Sequence, residues 1–158
     1  MQTKSSGFLF GVLFMSFVAN CGGAADGNTP VDGGSPNADY APSSLTGKTL
    51  TADHMKSSMV FTSETHLDMP ELQDPSEAWT GPTYTYKKVS STTASLTVEY
   101  SVAYSDSREV DSYTFETTLV FAGPSAGHMN GTYASTYDYG SGLSEKGHGT
   151  IDSDFVLR

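Results

Sequence analysis

The chain has 158 residues, a formal net charge of −10 and a single cysteine. That length suits one domain. The acidic excess argues against nucleic acid, whose phosphates call for Lys and Arg, and one cysteine rules out an intramolecular disulfide. The same acidity argues against a basic surface that docks on anionic lipid. It reads first as solubility and self-repulsion, with cation binding as the alternative.

Met1 to Lys4 carries one positive side chain and precedes an eleven-residue apolar run, Phe8 to Val18. Such a run fits the hydrophobic region of a signal peptide over residues 1–20 and is too short to span a bilayer as a helix. It ends in Val18-Ala19-Asn20-Cys21. These residues resemble the lipobox of bacterial lipoprotein precursors, in which signal peptidase II cleaves just before the Cys. The resemblance implies that Cys21 carries a thioether diacylglycerol and an N-acyl chain, each buried CH₂ contributing about 0.8 kcal/mol of anchoring. The membrane is then a partner through the lipid. Gly22 is not the Asp that retains enteric lipoproteins at the inner membrane, so the resemblance also implies an outer-membrane or cell-surface location. Ordinary secretion, with cleavage after Ala25, is the alternative.

Gly22 to Ser44 is rich in Gly, Pro, Ser, Asp and Asn and nearly free of large apolar side chains. Such a segment cannot bury enough surface to offset its ordering entropy. Residues 21–44 are therefore expected to form a lipid-anchored disordered linker with a reach on the order of 25 Å. Asp26, Asp32 and Asp39 read as solvated spacer charges.

From Leu45 to the C-terminus the apolar period is two, with Thr, Tyr and Val enriched. Leu45 to Thr51 and Met59 to Thr62 predict two weak strands. His66 to Trp79, with two Pro and several acids, predicts a loop with one helical turn over Pro75 to Trp79. Thr83 to Lys88 predicts a third strand. Leu96, Val98, Tyr100, Val102 and Tyr104 share one parity. Tyr113, Phe115, Leu119 and Phe121 share another, after a short polar connection, so these two segments predict a long antiparallel hairpin. Met129 to Tyr139 and Gly149 to Leu157 complete the set, with Gly140 to Gly147 as the turn between them. Seven or eight evenly spaced strands must hide their edges and fill one face. An all-β, antiparallel up-and-down barrel over residues 45–158 does both, and a two-layer β-sandwich is the alternative.

The spacing Gly81-x-x-Tyr84-x-Tyr86, Ala94-x-Leu96-x-Val98, Thr118-Leu119-x-Phe121, Gly131-x-Tyr133 and Gly149-Thr150 resembles small barrel domains of bacterial lipoproteins, which are similar to the lipocalin and calycin architecture. Leu45-Thr46-Gly47 resembles the Leu-x-Gly that opens many lipocalins. The resemblance implies a fold and no activity.

Catalytic signals are absent. Gly-x-Ser-x-Gly does not occur, and no Ser/His/Asp arrangement is visible. Paired carboxylates of the glycosidase kind would show only in geometry. His54, His66, His128 and His148 form no metal-ligand pair in sequence; His128 and His148 would face each other only across the last hairpin. Asp152 and Asp154 share a strand face, and Asp106, Glu109 and Asp111 share a turn. Neither set has the spacing of a calcium loop, so both read as solvated. No metal, cofactor or catalytic residue is expected.

The nine Tyr are the compositional excess. An aromatic body with a polar tip suits a cavity wall, although Tyr is also a good strand former. Tyr84, Tyr86, Tyr100, Tyr104, Tyr133 and Tyr137 are the candidate lining of a barrel mouth that takes a small apolar or amphipathic ligand. The competing expectation is a structural or protein-interaction envelope lipoprotein without ligand. An empty barrel axis would favour the first and a packed one the second.

Overall fold

A computed structural model describes residues 38–53, 55–72, 77–104 and 108–158. The signal peptide, Cys21, most of the linker, His54 and Asp106 lie outside the described residues. Those that are described form an all-β domain with no helix. Its strands are β1 (Thr49–Ala52), β2 (Met59–Phe61), β3 (Leu67–Asp68), β4 (Glu77–Lys88), β5 (Thr93–Tyr104), β6 (Val110–Gly123), β7 (Ala126–Asp138) and β8 (Ser144–Leu157). They pair in the order β3-β2-β1-β8-β7-β6-β5-β4. The outer members β3 and β4 meet through an antiparallel bridge between His66 and Thr83, and the Tyr84 amide donates to the Thr65 carbonyl at 2.8 Å. Every strand thus lies beside its neighbours in sequence. The result is a nearly closed, antiparallel up-and-down barrel, as the alternation predicts, and not a sandwich.

The alternation works residue by residue. In β5, Ala94, Leu96, Val98, Tyr100 and Val102 are all buried, while the residues between them reach solvent at least in part. A one-residue slip would turn this whole set outward, so the burial of one face fixes the register. Leu96 faces Thr117, Val98 faces Phe115 and Tyr100 faces Tyr113 across the long hairpin. Two residues, Pro124 and Ser125, turn β6 into β7. Gly140 and Gly142 hold φ of 66° and 82° in the turn into β8, a backbone region that a side chain would strain.

One end of the barrel is packed solid. Leu45, Leu50, Met59, Phe61, Leu67, Met69, Leu96, Leu119 and Met129 are among its fully buried side chains. Phe121 and Phe155 meet edge to face there, with ring centroids 5.2 Å apart. The wall curves tightly beside them. A Cβ on Gly131 would sit 2.0 Å from the Glu116 carbonyl oxygen, and one on Gly127 2.2 Å from that of Val120. Only glycine lets β7 approach β6 this closely, the usual device for bending a sheet into a barrel.

Several boundaries differ from the sequence expectation. The linker does not run to residue 44. Its last part packs on the barrel, with Ala41 buried and both the Tyr40 and Ala41 amides donating to the Ser91 carbonyl at 2.8 Å. Asp39, expected as a solvated spacer, pairs with Lys88. A single buried Ala and one Tyr were too weak a hydrophobic signal to mark this segment in a Gly- and Pro-rich stretch. The third strand begins at Glu77 and not Thr83, so Glu77 to Trp79 is strand where a helical turn was expected. A register shift between Thr80 and Thr83, at Gly81-Pro82, disguises that continuity. Likewise β8 starts at Ser144, inside the expected turn.

Candidate functional site on the inner face of the long strands

The strands differ greatly in length. β1, β2 and β3 have 4, 3 and 2 residues, whereas β4 to β8 have 12 to 14. β1 pairs with β8 only at Val156, Leu157 and Phe155. From Ser144 to Asp154, β8 has no strand partner on that side among the described residues. The inner face of β4 to β8 therefore continues past the reach of the short strands.

That face is aromatic and ordered in rows by register. Val102, Asp111, Tyr137 and Glu145 form the outermost row across β5, β6, β7 and β8. Tyr100, Tyr113, Ser135 and Gly147 form the next, and Val98, Phe115, Tyr133 and Gly149 the one below. Trp79 joins from β4, opposite Val102. Trp79 stacks on Tyr100 with centroids 5.2 Å apart, and Tyr100 stacks on Tyr113 at 4.8 Å. Tyr137 meets Tyr113 edge to face at 6.2 Å. Tyr133 lies over Gly149, where a Cβ would come within 2.4 Å of the ring. Gly149 on β8 thus makes room for the Tyr133 ring that leans across from β7.

Tyr100 is 8% exposed, while Trp79, Tyr104, Tyr113, Phe115 and Tyr137 are half-buried and Tyr133 is 38% exposed. Large rings left partly exposed around Tyr100 are what distinguishes this end from the solid end.

One carboxylate interrupts the aromatic face. Asp111 Oδ2 accepts the Tyr104 hydroxyl at 2.9 Å and the Tyr113 hydroxyl at 3.5 Å. Desolvation raises the Asp111 pKa and the nearby Glu109 raises it further, against the lowering effect of the two phenols. Burial pushes Tyr100 up to about 12, and burial followed by the Asp111 charge drives Tyr113 upward. All three phenols, Tyr100, Tyr104 and Tyr113, stay protonated at neutral pH, and Tyr104 and Tyr113 donate to Asp111. Among the described residues, two buried polar atoms on the same face have no hydrogen-bond partner: Trp79 Nε1 and Ser135 Oγ. Ser135 is 3% exposed. A buried group left unsatisfied costs on the order of 1–3 kcal/mol.

The structure divides the candidate tyrosines. Tyr100, Tyr104, Tyr133 and Tyr137 lie on this face. Tyr84 and Tyr86 do not line an open mouth: Tyr84 is core, edge-on to Phe61, and donates to the Ser63 carbonyl at 2.7 Å. Tyr86 donates to the Pro42 carbonyl at 2.7 Å and ties the incoming chain to the wall. Trp79, Tyr113, Phe115, Asp111 and Ser135 were not singled out as binding residues from sequence. Asp111 shares the parity of Tyr113 and Phe115, and a carboxylate on an apolar parity was the available signal.

Elsewhere, His128 and His148 do not face each other. His128 pairs with Asp154 in register and His148 with Ala134. On the outer face His128 instead bridges Asp152 and Asp154, with Nε2 2.6 Å from one carboxylate and Nδ1 2.8 Å from the other. No group of three or more His, Cys, Asp or Glu among the described residues is arranged to hold a metal ion. A groove of about 230 Å³ on the outer wall is lined by Thr65, Thr83, Tyr84, Thr85, Thr97 and Glu99. It is smaller than the roughly 300–1,000 Å³ of ordinary ligand pockets.

Comparison with protein-family models, with curated proteins and with solved structures finds no match to this chain.

Proposed function

We propose that this protein is a cell-envelope lipoprotein, anchored through Cys21, whose barrel is a binding module rather than an enzyme. The binding surface is the inner aromatic face of the long strands. The observation that carries this reading is the contrast between the two ends. Phe61, Leu50 and Leu119 seal one end, while Trp79, Tyr113, Phe115 and Tyr133 stay partly open at the other. An amphipathic ligand would insert its apolar part among ring edges and meet phenol and carboxylate oxygens at the rim.

The solid packing of one end also favours a second reading, an interaction lipoprotein with no small ligand. The same face would then dock a protein. Both readings predict that binding depends on the Tyr113 row and not on the solid end. Tyr113→Ala or Phe115→Ala should abolish capture of the ligand from envelope extracts, while Thr97→Ala on the outer wall should not. Capture that survives both inner-face changes contradicts this assignment. The anchor has its own test. Detergent partitioning of the full-length protein should vanish in Cys21→Ser, and partitioning that persists would refute lipidation there.

A further inference from the structure

The strongest unresolved chemistry on the inner face is a carboxylate without a counter-charge. Asp111 projects from β6 between Val102 of β5 and Tyr137 of β7. Oδ2 takes both phenol protons, from Tyr104 and Tyr113. Among the described residues Oδ1 accepts no hydrogen bond, and no Lys, Arg or His forms an ion pair with this carboxylate. The surrounding charges are of the same sign: Glu109 acts on Asp111, and Glu77 and Glu109 act on the Tyr104 that holds it. Ionised carboxylates taken partly out of water are normally paired.

A second observation marks the same place as unfinished. Ser135 faces Tyr113 in register, one row below Asp111. It is 97% buried, as its 3% exposure states, and its hydroxyl has no partner. A bare acidic cluster on a solvated surface would leave no such orphaned hydroxyl, an acceptor as well as a donor, among stacked rings.

We infer that the inner face recognises an organic cation bearing N–H groups, an ammonium or guanidinium on an aromatic or aliphatic body, with Asp111 as its anion. This rests on the binding face proposed above and names the ligand chemistry for it. The N–H groups reach Asp111 Oδ1 and the phenol oxygens, which remain acceptors after donating their own protons. The apolar body lies along Tyr113, Phe115 and Tyr133. A quaternary ammonium lacks the N–H donors and is the poorer fit. Charge-assisted hydrogen bonds are roughly twice as strong as neutral ones, so the cation should exceed its neutral isostere by about tenfold in affinity.

The test compares phenethylamine with phenethyl alcohol, bodies of equal shape, on the full chain. Trp79 is the only Trp, so its emission reports binding next to Tyr100, and saturation-transfer NMR reads the probes directly. Asp111→Asn is isosteric and keeps an acceptor for both phenols, so the barrel stands. The amine should bind about tenfold tighter than the alcohol, and in Asp111→Asn the two probes should bind alike. Equal binding of both to the parent protein, or a preference that survives Asp111→Asn, overturns the cation assignment and leaves the aromatic face as a neutral binding surface. Binding of neither probe at millimolar concentration overturns the cation together with the small-ligand reading of this face.

Discussion

Tyr113 stands directly across the sheet from Tyr100, their rings 4.8 Å apart and within 20° of parallel. With Trp79 stacked on the far side of Tyr100, this pair forms a continuous row of rings across three strands. Cross-strand aromatic pairs contribute on the order of 0.5–1.5 kcal/mol beyond area burial. The row therefore holds the open end of the sheet together where β1 to β3 supply no pairing. Tyr113→Ala should cost stability as well as binding, and a Tyr100/Tyr113 double-mutant cycle in urea should show a coupling of about 1 kcal/mol. A coupling of zero would mean that the rings pack independently.

Asp111 places a cost on the folded state. Its pKa is raised, chiefly by desolvation. A carboxyl with a raised folded pKa is destabilising once ionised: the penalty is absent below the unfolded value and sets in as pH rises through the folded one. Asp111→Asn should therefore leave stability unchanged in acid and raise it at neutral pH. Urea melts of both proteins on either side of that interval measure the difference. A neutral-pH loss of stability in the variant would show that the carboxylate is already paired.

His128 behaves in the opposite sense. The hydrogen bond to Asp154, then that to Asp152, raises its pKa. Both ring nitrogens can donate only in the imidazolium form. The stabilisation is fully present below the unfolded value of about 6.5 and is lost as pH rises through the raised folded value. The gap in melting temperature between the parent protein and His128→Gln should be largest in mild acid and should close in mild alkali. The pair is exposed, so salt should shrink the gap as well.

The glycines of β7 and β8 differ in what they accommodate. Gly131→Ala drives a Cβ into the backbone of Glu116 and Thr117, which cannot turn aside, and should cost about 2 kcal/mol or more. Gly149→Ala meets the Tyr133 ring first, a side chain that can swing away. Its cost should be smaller and should fall when Tyr133→Ala is added. Thermal melts of the single and double variants separate the two cases.

Residues 38–42 belong to the folded unit. A chain truncated to begin at Ser43 loses the Asp39–Lys88 pair, the Tyr40 and Ala41 bonds to Ser91 and the Pro42 acceptor of Tyr86. Against a chain beginning at Ala38, its melting temperature should drop by roughly 4 °C or more. Equal melting would mean that this segment merely rests on the barrel.

Much of this architecture is legible in period two. The β5–β6 hairpin is fully specified by alternating Val, Tyr and Phe, and the closed meander follows from even strand spacing. Two kinds of feature escape. A strand broken by Gly81-Pro82 hides Trp79, because the alternation changes phase at the bulge. The division of the tyrosines depends on how far β1 to β3 extend, and no periodicity in β4 or β5 encodes the length of a distant partner strand. Tyr84 and Tyr100 look alike in sequence; only register places one against Phe61 and the other beside Trp79.

The most direct test of the central claim is solvent access to the two sets of rings in the full chain. A soluble paramagnetic agent, read by NMR of the aromatic side chains, should strongly broaden Phe115, Tyr113 and Tyr133 while sparing Phe61 and Tyr84. Protection of Phe115 and Tyr133 equal to that of Phe61 would show that the face is already covered, and would contradict its role as a binding surface.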